Sequence, residues 1–309
     1  MFWSKSPSFT PKNDIPSLAG KVVLVTGGNV GLGKQAVLEF ARHEPRLIWL
    51  AARSVQKADA AAAEIKQQVP GAAIQVVELD LSSFASVKKA ADTVLATSPR
   101  LDILMLNAGI MATAPGLTTD GYELQFGTNH MGHALLTKKL LPLLQQTAAA
   151  DGPNADVRVV ALSSHGHTMA AKGGIDFATL KTTAEGLNTV QRYAQSKLSN
   201  ILWARQLAKA YPALTVASVH PGVVQTQLME RATGVPSVLR ALTRWFGGLV
   251  LTSVEDGAKN QLWAAVSKGV VSGAYYQPVG NKTGDSVYAK DDALAEKLWK
   301  WTEKELEGQ

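Results

Sequence analysis

From Lys21 onward the chain alternates short, continuously apolar runs with helical patterns, and few architectures accept that alternation. The apolar runs fall at 22–26, 47–52, 74–79, 102–106, 157–162 and 215–219, with a weaker one near 272–276. Runs such as Val22-Val23-Leu24-Val25 and Ile103-Leu104-Met105-Leu106 show no polar alternation, so each must be covered on both faces. Helical patterns fill 32–43, 55–68, 84–97, 121–147, 189–210 and 254–267. This order predicts an α/β fold with a doubly wound parallel sheet flanked by helices. Right-handed crossovers then put the ligand at the carboxyl edge of the strands. With no internal repeat and no mid-chain linker, residues 21–309 are expected to form one domain behind an N-terminal extension, 1–20, rich in Pro, Ser and Lys. Around 225–251, Val238, Leu239, Leu242, Trp245 and Phe246 recur at helical spacing, interrupted by Gly234, Pro236 and Gly247-Gly248. That segment reads as a small substrate lid, with a membrane-surface helix as the alternative.

The first strand runs into Thr26-Gly27-Gly28-Asn29-Val30-Gly31-Leu32-Gly33. Gly27, Gly31 and Gly33 allow a tight turn and close backbone approach, and a helix opening near Leu32 offers free N–H groups to a pyrophosphate. At the end of the second strand stands Arg53-Ser54, with no carboxylate to bind a free ribose 2′-hydroxyl. Arg53 can form charge-assisted bonds to a 2′-phosphate and Ser54 can add a donor, which favours NADP over NAD. Asp80, followed by Leu81, can accept from an adenine amino group or cap the next helix. Asn107-Ala108-Gly109 closes the fourth strand with residues small enough to run along the adenosine ribose.

Tyr193 and Lys197 stand four apart in a helical pattern and share a face. A neighbouring ammonium favours the phenolate, which makes Tyr193 a candidate acid in reduction and base in oxidation. A surface pair on a helix is the plainer reading of the same spacing. Upstream, Ser163-Ser164 ends the fifth strand, where a serine can hydrogen-bond a substrate carbonyl. Asn129 sits among small and apolar neighbours and can hold a water or satisfy a nearby carbonyl. His165 and His167 can line a pocket or rest on the surface. His130 and His133 have no third ligand at metal spacing, so no metal site is expected.

Composition closes off other classes. Hydrophobic residues reach 46% and charged residues 18%, enough for a sizeable core. The net charge of +6 is spread without a basic run, so nucleic-acid binding is not expected, although an anionic cofactor fits. The chain has no cysteine. With neither a signal-peptide pattern nor an apolar stretch of about 18 residues, a cytoplasmic protein without an integral membrane segment is expected.

In this order the motifs resemble the short-chain dehydrogenase/reductase family from Lys21 to about Glu305. The resemblance implies a seven-stranded Rossmann sheet and a tetrad at Asn129, Ser164, Tyr193 and Lys197. By that resemblance the serine polarises the carbonyl, the tyrosine moves the proton, the lysine grips the nicotinamide ribose and the asparagine anchors a relay water. It selects Ser164 over Ser163. It also matches the turn Pro221-Gly222 and implies that Val224 and Thr226 contact the nicotinamide carboxamide. Phe126-Gly127-Thr128-Asn129-His130-Met131-Gly132-His133 and the ending Tyr288-Ala289-Lys290-Asp291-Asp292 resemble the retinol-dehydrogenase and WW-domain-oxidoreductase branch. Two features depart from the pattern: this chain shows no N-terminal anchor, and Val30 stands where NADP-dependent members often carry a basic residue. Family habit implies a homodimer or homotetramer paired through helices such as 121–147 and 189–210.

These readings combine into an NADP(H)-dependent oxidoreductase acting on a small hydrophobic ketone, aldehyde or alcohol. The alternatives are an epimerase or dehydratase with a tightly held cofactor, and a non-enzymatic NADP(H)-binding sensor. Substrate identity and direction stay open at this level.

Overall fold

The computed structural model describes residues 8–222, 224, 252–282 and 286–309. Seven strands form one sheet: β1 (Val22–Thr26), β2 (Leu47–Ala52), β3 (Ile74–Glu78), β4 (Ile103–Leu106), β5 (Arg158–Leu162), β6 (Thr215–Val219) and β7 (Tyr275–Tyr276). Their order is β3-β2-β1-β4-β5-β6-β7 and every pairing is parallel. This is the Rossmann arrangement expected from the sequence. The chain leaves β1 toward β2 on one side and returns to β4 on the other, so a crevice opens above the carboxyl ends of β1 and β4.

The continuous apolar runs have a direct packing cause. Val22 and Leu24 belong to one buried cluster while Val23 and Val25 belong to another, and Leu104 and Leu106 alternate in the same way with Ile103 and Met105. Each such side chain contributes about 1.5–3 kcal/mol when fully buried, whichever face it enters. The edge strand β3 is the exception, with Gln75 and Glu78 exposed.

One face of the sheet is covered by α1 (Gly31–Ala41), α2 (Val55–Gln68) and the later α6 (Val254–Val266). The other carries α3 (Phe84–Thr97), α4 (Gly132–Asp151), α5 (Thr189–Ala210) and α7 (Asp292–Glu305). Before α4 the chain makes a short helical turn, Leu124–Phe126, and a π-helical turn, Gly127–Met131. The helix expected over 121–147 is thus wound in three pieces and extends to Asp151. The end of β3 lies close against α4: a Cβ on Gly132 would stand 2.3 Å from the Leu81 carbonyl oxygen.

Within the N-terminal extension, Phe9, Ile15 and Leu18 are buried in the cluster shared by α1 and α6. Leu18 N donates to His43 O at 2.8 Å, tying this segment to the end of α1. Of the expected lid, residues 225–251 lie outside those described, and so does Thr226. Among the described residues no helix is long and apolar enough to cross a membrane.

Candidate active site

The crevice contains a cavity of about 610 Å³. Its floor begins where Gly27 (φ +66°) and Gly31 (φ +53°) turn the chain from β1 into α1. A Cβ on Gly33 would stand 2.2 Å from Gly27 O, so only glycine permits the helix to start this close to the strand. Val30 is the N-cap and supplies no side-chain acceptor, so the first-turn N–H groups have no side-chain cap beside Asn29, Gly31, Leu32 and Gly33 on the cavity wall. A dinucleotide's diphosphate fits that donor set.

Arg53 lines the cavity beyond β2, exposed and without a hydrogen-bond or ion-pair partner among the described residues. Ser54 is engaged elsewhere: its hydroxyl accepts from Lys57 N and caps α2. Asp80 and Leu81 line the wall after β3. Asp80 Oδ1 accepts from Ser82 N at 2.9 Å and Ser82 Oγ at 2.6 Å, while the cap of α3 is Ser83. Asn107 Nδ2 donates to Thr26 O at 2.8 Å and Ala108 N to Thr26 Oγ1 at 2.9 Å, locking the ends of β1 and β4 together.

Gly109 then brings the chemical end close. A Cβ there would stand 3.1 Å from Asn129 Oδ1 and 3.4 Å from Lys197 Nζ. Asn129 is fully buried. Its Oδ1 accepts from Ile110 N at 2.8 Å, and its Nδ2 donates to Ile110 O and to Ser196 Oγ, each at 2.9 Å. The side chain thus satisfies a neighbouring carbonyl, one of the roles read from sequence. The Asn129 carbonyl accepts from His133 Nδ1 at 3.0 Å, and His133 Nε2 faces Thr26 Oγ1 at 2.9 Å. Burial lowers the His133 pKa to about 3, so the ring carries one proton. A carbonyl only accepts, so that proton is on Nδ1 and Thr26 donates to Nε2.

The two serines after β5 point to different partners. Ser163 Oγ donates to Lys197 O at 2.7 Å and pins the strand to α5. Ser164 caps the next turn, accepting from Gly166 N at 3.0 Å, and its hydroxyl stands beside Tyr193. A Cβ on Gly166 would meet Tyr193 Cε1 at 3.1 Å and Ser164 Oγ at 3.2 Å, so this glycine keeps the pair together. His167 is buried; its Nε2 accepts from Ser286 N at 3.3 Å, so its Nδ1 donates to Ser164 O at 2.7 Å.

Tyr193 and Lys197 are buried on α5 at the cavity wall, with Nζ 5.8 Å from the ring centroid. Burial raises the Tyr193 pKa, and the Ser164 hydrogen bond opposes that rise. Burial lowers Lys197 to about 8. Its Nζ donates to Leu162 O at 3.0 Å, which holds it at the end of β5. The surface-pair reading of this spacing therefore fails.

Pro221 reaches the cavity; Gly222 and Val224 stand behind it, Val224 bridging to Thr252. Sequence reasoning stopped at Gly109 and missed the next stretch of wall, Ile110, Met111, Thr113, Ala114 and Pro115, with Leu124 opposite. Adjacency to the fourth strand end was the available signal. His130 is also not a ligand in waiting: its Nε2 meets Thr302 Oγ1 at 3.0 Å, and burial lowers its pKa to about 3.

A glycine cradle at the switch point of a parallel sheet defines a dinucleotide-binding Rossmann protein. The family described as short chain dehydrogenase matches residues 21–234. The chain belongs to that family, on its retinol-dehydrogenase-like branch, and is an oxidoreductase of the NAD(P)-using kind. It is 41% identical over 305 residues to the short-chain dehydrogenase/reductase drtF of Aspergillus calidoustus, covering 94% of this chain and 95% of that one. Retinol dehydrogenase 13 of Homo sapiens is 36% identical over 292 residues, covering 92% and 83%. A crystal structure of an uncharacterized protein from Mycobacterium Paratuberculosis superposes with a TM-score of 0.73 at 30% identity, covering 96% of each chain.

Proposed function

We propose that the chain reduces hydrophobic aldehydes or ketones with NADPH, or oxidises the matching alcohols with NADP, and that Tyr193 is the general acid/base. One observation carries this reading: a buried tyrosine, beside Ser164 and one helical turn from a buried lysine, faces a glycine-lined cavity. The backbone around Gly27, Gly31 and Gly33 holds the pyrophosphate, Asp80 and Leu81 flank the adenine, and Asn107 to Gly109 follow the ribose. Arg53, unpaired among the described residues, takes the 2′-phosphate. A bound nicotinamide supplies the hydride in reduction and accepts it in oxidation.

The remaining chemistry belongs to the protein. Burial keeps the Tyr193 phenol protonated, which suits it to protonate a substrate oxygen as negative charge develops there. The Ser164 hydroxyl donates to the same oxygen. Lys197, with a pKa near 8, is charged at neutral pH and stabilises the phenolate left behind. Asn129 acts by position, because both amide hydrogens are committed to Ile110 and Ser196. The apolar wall at Ile110, Met111, Pro115 and Leu124 favours a hydrophobic substrate, in keeping with a relative named retinol dehydrogenase 13. A cytoplasmic setting suits the reductive direction.

The test is a screen of aldehydes, ketones, quinones and retinoids for NADPH oxidation, run beside Tyr193→Phe. Removing the proton donor should lower turnover by about 10²- to 10⁴-fold. Normal turnover in Tyr193→Phe would sink the mechanism. Cofactor that copurifies and does not exchange with added NADPH would instead favour the epimerase reading.

A further inference from the structure

A buried ion pair on the far side of the cavity wall has no part in the mechanism above. Arg192 precedes Tyr193 on α5 and is 3% exposed; Glu123, at the start of the turn before α4, is 0% exposed. Arg192 Nε stands 3.4 Å from Glu123 Oε1, and Glu123 Oε2 accepts from Phe126 N at 2.7 Å. The rest of the guanidinium is spent on loop carbonyls. Nη1 donates to Leu187 O at 2.5 Å and to Ala184 O at 3.4 Å, and Nη2 donates to Thr113 O at 3.1 Å.

The Thr113 carbonyl also accepts from Thr189 Oγ1 at 2.8 Å. One residue earlier, Ala112 N donates to Gln125 Oε1 at 2.9 Å. Both loops contain an alanine in the left-handed region, Ala112 at φ +51° and Ala184 at φ +50°. Such a conformation persists in a residue with a Cβ only where surrounding bonds over-determine it. The first of these loops carries Ile110, Met111, Thr113, Ala114 and Pro115, all of which line the cavity.

We propose that Arg192 is a positioning residue for substrate selection: with Glu123 it clamps the 110–115 wall and the 184–187 loop, setting the space beside Tyr193 without touching the dinucleotide cradle. This rests on the reductase reading, since it assigns the wall to the carbonyl substrate. Arg192→Met alone strands the Glu123 carboxylate in the interior, so the informative variant is Arg192→Met combined with Glu123→Gln. Thr189→Val is a milder second variant that removes the bond to Thr113 O and a longer one accepted from Gln125 Nε2 at 3.3 Å.

Three quantities are measured on the full chain: the NADPH dissociation constant by fluorescence, kcat and KM for aliphatic aldehydes of increasing length, and amide hydrogen exchange of 110–116 and 184–188. In the double variant, exchange in both segments should quicken about tenfold or more, and KM for the longest aldehyde should rise about tenfold. NADPH affinity should stay within about twofold, and kcat for the shortest aldehyde should stay close to wild type. Thr189→Val should show the same pattern, weaker, at 110–116. Unchanged exchange in both variants, or an equal loss for every aldehyde, overturns the proposal. A wild-type chain that binds NADPH and reduces no carbonyl overturns the reductase reading and not the clamp, which the exchange rates judge by themselves.

Discussion

Lys197 carries a folding cost. Burial lowers its pKa from 10.5 to about 8, a penalty of about 3 kcal/mol on the charged form. The sign follows from the two states. The unfolded lysine stays protonated up to about 10.5, whereas the folded one releases its proton near 8. The penalty is therefore complete below about pH 8 and fades as pH rises toward 10.5. Removing the amine leaves no orphan carbonyl, because Asn200 Nδ2 also donates to Leu162 O at 3.0 Å. Lys197→Met should therefore fold at least as stably as wild type at pH 7, by thermal melting, while losing turnover. Its advantage should shrink above pH 8; a variant melting well below wild type at pH 7 would contradict this account. The placing of Tyr193 and Lys197 side by side was legible in sequence because a four-residue spacing fixes a shared helix face whatever surrounds it. The residues alone left Ser163 and Ser164 undivided and only the resemblance chose between them, since neighbouring residues of an extended segment point to opposite sides; in the structure Ser163 lines the cavity while Ser164 stands beside Tyr193.

At the scale of elements, the strands and most helices were readable because both faces of the sheet are covered, which removes the ambiguity of a half-buried strand. β7 was the weak one, and it pairs over two residues only. The last helix, α7, was missed. Its cues were present: Asp291 caps it by accepting from Leu294 N at 2.8 Å, and Ala295, Leu298 and Thr302 recur on its buried face. Those cues are short, and their meaning depends on a surface far away in sequence. α7 packs across α5, meets the π-helical turn where Thr302 contacts His130, and reaches α4 where Glu303 meets Lys138 at 3.1 Å. It thus lies on the very helices that family habit would pair between subunits. Leu298 is fully buried in that contact, so Leu298→Ala should cost about 2–5 kcal/mol in unfolding free energy, read from the denaturant midpoint. A change of less than about 0.5 kcal/mol, the range of surface substitutions, would mean that α7 contributes little to the core.

For the whole molecule, cofactor binding and stability are one equilibrium. A dinucleotide that binds only the folded chain adds about 2.7 kcal/mol when present at a hundredfold excess over its dissociation constant. At matched concentrations NADPH should raise the melting temperature more than NADH does. Arg53→Ala should erase that difference, because the guanidinium is the cavity's cation at the end of β2. An equal shift by both cofactors in wild type would argue against the 2′-phosphate assignment to Arg53.

The sequence by itself determined the parallel sheet, the glycine cradle after β1 and the pairing of Tyr193 with Lys197. Each depends on local periodicity or on backbone freedom that a few adjacent residues dictate. Only the tertiary structure decided which serine faces the tyrosine, that Asn129 is committed to Ile110 and Ser196, and that α7 covers α4 and α5. It also decided that Arg192 and Glu123 lie buried behind the 110–115 stretch of the cavity wall. Those outcomes join residues tens to hundreds of positions apart. Charge in a sequence carries no mark of burial until the chain closes around it.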